Sequence, residues 1–65
     1  MTKEEALIIK KFRVEKNGTW RAVARMAAEK WPKKNYCNGN QIEGMILCEE
    51  AAKKLGENPY KNPWN

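Results

Sequence analysis

Between Lys3 and Lys16 the apolar residues fall into two stripes. Ile8, Ile9 and Phe12 make one; Leu7 and Val14, seven apart, make the other. Spacings of three, four and seven predict a helix. Thr2 followed three residues later by Glu5 is a capping-box pattern, and Asn17-Gly18 reads as a C-terminal stop. A helix that is apolar on two sides either lies between two neighbours in a bundle or is shared with another chain. A second helix is predicted from Thr19, as N-cap, to Trp31. Trp20, Val23, Ala24, Ala27 and Trp31 line one side of it, and Arg21, Arg25 and Glu29 the other. Pro32 ends it, because the residue before a proline is pushed out of helical geometry.

The stretch Pro32 to Gly39 contains the turn signal Asn38-Gly39 and reads as a loop. A third helix is predicted from Asn40 to Leu55, with Asn40 and Glu43 at cap spacing and Gly56 closing it. Its broad core face is Gly44, Leu47, Cys48, Ala51, Ala52 and Leu55, with Met45 at the edge. Ile42 and Ile46 project among Glu43, Glu49, Glu50 and Lys53 and need a cover. Either the tail supplies it, through Tyr60 or Trp64, or a second copy of the protein does. Residues 57–65 hold two prolines and no helical period.

The pattern predicts an all-α protein: a compact three-helix bundle over residues 1–56, and an extended C-terminal tail, 57–65, packed on or near it. The expected core is Ile8, Ile9, Phe12, Trp20, Val23, Ala24, Ala27, Trp31, Leu47, Cys48, Ala51 and Leu55. No strand-like alternation, internal repeat or second domain is visible. At 65 residues the chain is one domain at most, and its stability margin is thin.

Charge changes the picture. The net charge is +5, and the excess is uneven. Residues 1–34 hold ten Lys and Arg against four Glu; residues 35–65 hold three Lys against four Glu. A phosphate backbone or other anionic partner should therefore meet the first half. The plainer alternative is that these cations only keep a small helical protein soluble. No apolar run approaches the roughly 20 residues of a membrane span. The opening Met1-Thr2-Lys3-Glu4-Glu5 lacks the features of a signal peptide. A cytoplasmic protein is expected, with no membrane partner.

Chemistry is sparse. There is no His and no Asp, and the adjacent Glu49 and Glu50 diverge by about 100° on a helix. No catalytic residues, small-molecule substrate, cofactor or metal site is expected. Cys37 and Cys48, eleven apart, match no zinc pattern, which needs about four ligands. They are either reduced, with Cys48 a small buried hydrophobe, or joined in a disulfide that pins the loop to the third helix.

The segment Thr19-Trp20-Arg21-Ala22-Val23-Ala24 resembles the opening of the first motif helix in helix-turn-helix proteins: a hydroxyl cap, a bulky anchor, then small apolar residues that pack under the next helix. The resemblance covers six residues. It implies a helix-turn-helix-like bundle and a DNA-binding accessory or regulator protein. The joint that follows, some eight residues between Trp31 and Asn40, exceeds that family's short turn of about three to four. The third helix is acidic in its middle, so only Asn40 and Gln41 at its start suit base edges or phosphate. The candidate phosphate-holding residues are Arg21, Arg25, Lys33 and Lys34, with Lys10, Lys11 and Arg13 on the first helix. Tyr36 can stack on a base. The alternative for Arg25 is a pair with Glu29 along the helix. The rival function is a protein–protein or homodimerisation module, with no nucleic-acid role, using Leu7, Val14, Ile42 and Ile46.

Overall fold

A computed structural model describes residues 1–57 and Trp64. Three helices follow one another: α1 (Lys3–Glu15), α2 (Trp20–Lys30) and α3 (Gln41–Lys54), with a 3-10 turn at Pro32–Lys34 between the last two. The described residues contain no strand. The all-α three-helix bundle expected from the pattern is the fold. The extended tail falls on 58–63 and 65, outside the described residues. Trp64 packs against the core, and its Nε1 donates to Glu57 Oε1 at 2.9 Å.

Each helix begins on a side chain that accepts one of its orphan amides. Thr2 Oγ1 accepts from Glu5 N at 3.1 Å, and Glu5 Oε1 accepts from Thr2 N at 2.8 Å, a complete capping box. Thr19 Oγ1 accepts from Ala22 N at 3.1 Å. Asn40 Oδ1 accepts from Glu43 N at 2.9 Å. Glu43 does not return the bond to Asn40; its Oε1 accepts from Cys37 N at 3.1 Å, tying the loop to the first turn of α3.

The ends are equally local. Asn17 takes the left-handed conformation at φ 50°, and Gly18 N donates to Phe12 O at 3.3 Å. After α3, Gly56 sits at φ 76°; its amide donates to Lys53 O at 3.1 Å, and that of Glu57 to Ala52 O at 2.8 Å. This is the Schellman pattern, which glycine enters without a Cβ penalty.

α3 packs against both other helices, while α1 and α2 meet less extensively. Ala6, Ile9, Val23, Ala24, Ala27, Leu47, Cys48, Ala51 and Ala52 are buried. Phe12, Trp20, Trp31 and Leu55 are half-buried against them. Two expectations for α1 need correction. Ile8 belongs to the surface, at 36% exposed, and Ala6 takes a place in the core. The true inward face runs through Ala6, Ile9, Phe12 and Arg13, between the two apolar stripes. Leu7 and Val14 therefore face solvent, so α1 is not apolar toward both neighbours.

Gly44 sets the closest approach. A Cβ there would overlap the backbone carbonyl of Trp20, so α3 crosses the start of α2 backbone to backbone. Both cysteines are free thiols, so the loop-to-helix disulfide is not formed. Cys48 lies in the core and Cys37 on the surface loop, which Glu43 holds from its own side. Burial pushes the Cys48 thiol up to about pKa 11.

Candidate nucleic-acid interface

The cations of the first half divide into those that serve the fold and those that face water. Arg13 belongs to the fold. Its guanidinium carbon stands 3.9 Å from the centroid of the Trp20 ring, and Nη1 donates to Gly18 O at 2.6 Å. It is half-buried, where a cation stacked on an indole gains from partial desolvation. Arg13 is thus a corner post between α1 and α2.

Lys10 and Lys34 are matched by carboxylates distant in sequence. Lys10 Nζ lies 2.7 Å from Glu57 Oε2, and Lys34 Nζ lies 3.1 Å from Glu5 Oε2. Glu5 titrates below the usual carboxylate range, first because Thr2 N–H bonds it and then because of Lys34. Glu57 is lowered by Lys10 and then by the Trp64 indole. Lys33 is exposed on the 3-10 turn beside Lys34. The Tyr36 ring is also taken: it meets Trp31 edge-on, with centroids 6.5 Å apart at 76°, and packs against the core.

The remaining cations do come together, with two that the sequence reading passed over. Lys16 and Lys30 join Lys11 and Arg25 along a groove between α1 and α2 whose floor is Ile8, Phe12 and Met26. Four cations border this groove against one carboxylate, Glu29. Arg25 and Glu29, four residues apart, do not pair; among the described residues the ion pairs are Lys10–Glu57 and Lys34–Glu5. One turn before Arg25, Arg21 lines a second cleft with Gly39, Asn40, Gln41 and Ile42 at the start of α3. The two clefts flank α2, and Arg21 and Arg25 link them along its outer side.

Asn40 enters this cleft with its oxygen already engaged as helix cap, which leaves its amide hydrogens as donors. Gln41 is exposed. Lys16 and Lys30 were hidden from the sequence because neither lies on a polar face: Lys16 is the C-cap of α1, and Lys30, the last residue of α2, borders its apolar stripe. Each sits at the margin of its helix, and only the approach of α1 to α2 makes those margins meet.

The residues read as a partner face stand on two helices. Leu7 and Val14 are 55% and 45% exposed on α1; Ile42 and Ile46 are 67% and 43% exposed on α3. Trp64 does not cover the isoleucines, and Tyr60 lies outside the described residues. No group of three or more His, Cys, Asp or Glu among the described residues is placed to hold a metal ion. Among the described residues no helix is long and apolar enough to cross a membrane. Comparison with known proteins gives no match: no family model, curated protein or solved structure aligns with the chain.

Proposed function

We propose that the protein is a small DNA-binding module, an accessory or regulator, that grips the phosphate backbone along α2 and does not read bases with an inserted helix. The observation that carries this reading is the band of cations, Lys11, Lys16, Arg25, Lys30 and Arg21, that form no ion pair among the described residues and stand around the two clefts that flank α2. A cation already matched by a carboxylate adds little net charge at a phosphate, whereas each free one that reaches a phosphate displaces the counterion condensed there. The start of α3 extends the band. Its amide dipoles favour an anion, and Gln41 and the Asn40 amide add donors beside Arg21. α3 itself is a poor groove reader, because Glu43, Glu49 and Glu50 repel phosphate. Contacts of this kind position a protein on a duplex and carry little sequence information. The reading places the protein in the cytoplasm with the nucleic acid it meets.

Titration of a labelled duplex at several salt concentrations tests it. Affinity should fall steeply with salt, with a logarithmic slope of about 0.9 per phosphate neutralised. The double variant Arg21→Ala, Arg25→Ala should lower that slope by roughly two contacts' worth, and equally for unrelated duplex sequences. Absence of binding at low salt, or affinity indifferent to salt, ends the proposal.

A further inference from the structure

We propose that copies of this chain associate head to tail, with the outer face of α3 from one copy lying in the α1–α2 groove of the next. The inference does not rest on the nucleic-acid reading, although it uses the same groove.

The ridge is unusual for a free surface. Ile42 is 67% exposed, Ile46 43% and Met45 38%, at spacings of three and four that set all three side by side. Clustered apolar exposure of this kind marks an interaction face, whereas scattered single residues do not. One turn beyond Met45 and Ile46 come Glu49 and Glu50. The polar residues around the ridge are Glu43, Glu49 and Glu50 against Lys53, so it is an amphipathic helix face with an acidic excess.

The groove is its complement. Its floor is apolar, with Ile8 36% exposed beside Phe12 and Met26. Its rim carries Lys11, Lys16, Arg25 and Lys30, which form no ion pair within the described residues. An amphipathic helix laid in such a groove through anchors three and four residues apart is a common recognition mode. Here both the anchors and the counter-charges are supplied by the chain itself.

Two geometric points choose the groove as the seat of the ridge over a pairing of α3 with α3. Two α3 ridges placed face to face would leave the four cations of the groove rim unmatched and its apolar floor uncovered. In addition, the groove is lined by α1 and α2 alone, while the ridge is the side of α3 turned away from its buried residues Gly44, Leu47, Cys48 and Ala51. One copy cannot fill its own groove. A heterologous contact of this sort leaves a groove open at one end and a ridge at the other.

Complementary variants test the geometry. Sedimentation velocity of the full chain at low salt should show mass rising with concentration, and falling back on addition of salt. The ridge variant Met45→Ser, Ile46→Ser and the groove variant Lys11→Glu, Lys30→Glu should each be monomeric alone. Mixed, they should form a one-to-one dimer that grows no further, because the groove variant still has a ridge and the ridge variant still has a groove. All four positions are exposed, and circular dichroism checks each fold before mixing. If the groove variant loses helicity, Lys16→Glu, Arg25→Glu provides the same readout. A wild type that stays monomeric, a dimer that does not grow, or variants that fail to pair on mixing overturns the proposal. The ridge variant should keep salt-dependent duplex binding, so failure of association leaves the nucleic-acid reading standing, and the reverse.

Discussion

Gly44 and Cys48 show how little room the core has for change at a single residue. Gly44 lies where the backbones of α2 and α3 touch, and nothing flexible stands in the path of an added methyl group. Gly44→Ala should destabilise the fold by about 1–3 kcal/mol, the range for forcing volume into a packed site. A denaturant midpoint equal to that of the wild type would show that the helices can move apart freely. Cys48 makes a prediction about pH. Its thiol stays protonated up to about pH 11 in the folded chain, above the ordinary 9.0. The folded state therefore keeps a proton that the unfolded chain gives up, and stability falls as pH rises between these values. The Cys48→Ala variant, less stable throughout, should lose less on going from about pH 8 to about pH 10.5, measured by urea midpoint. The exposed Cys37 should meanwhile react with a thiol reagent at neutral pH, and Cys48 only after unfolding.

At the scale of elements, the corner between α1 and α2 depends on one side chain. Arg13 leaves α1, stacks on the first residue of α2 and bonds the carbonyl of Gly18 in the joint. Gly18 is needed there too, because a Cβ would run into the Phe12 ring. Arg13→Ala should destabilise by roughly 1–3 kcal/mol, combining a lost cation–π contact with a charged hydrogen bond. It should leave the salt slope of duplex binding unchanged. A shallower slope with unaltered stability would return Arg13 to the phosphate contacts.

The helices themselves were legible in the sequence because Thr2, Thr19 and Asn40 announce their starts and Asn17 and Gly56 their ends. The joint between α2 and α3 was read correctly as longer than a helix-turn-helix turn, and it contains a 3-10 turn that no periodicity announces. The face of α1 was harder. Ala6 is too small to register in an apolar stripe, and Ile8, beside Ile9, looks equally apolar; the position of α3 decides between them.

For the whole molecule, charge was legible as a total but not as a distribution. Lys34 finds Glu5 across 29 positions and Lys10 finds Glu57 across 47, and no local pattern forecasts either pair. These pairs remove two cations from the candidate interface, and the meeting of α1 with α2 adds Lys16 and Lys30. The same groove would serve a duplex or a second copy, so nucleic acid should disperse assemblies as it binds. This is checked by sedimentation with and without a short duplex. Assemblies that persist while the duplex is bound would require separate surfaces.

The turn at Gly56 has a consequence for the chain as a connected object. It reverses the backbone so that the carboxylate of Glu57 arrives between Lys10 and the Trp64 indole. Lys10 and Glu57, 47 positions apart, thus close a ring through a half-exposed pair, with Glu57 as its clasp. One residue inserted behind the glycine would draw both bonds out of reach together. The ring would open there, although each helix kept its own caps.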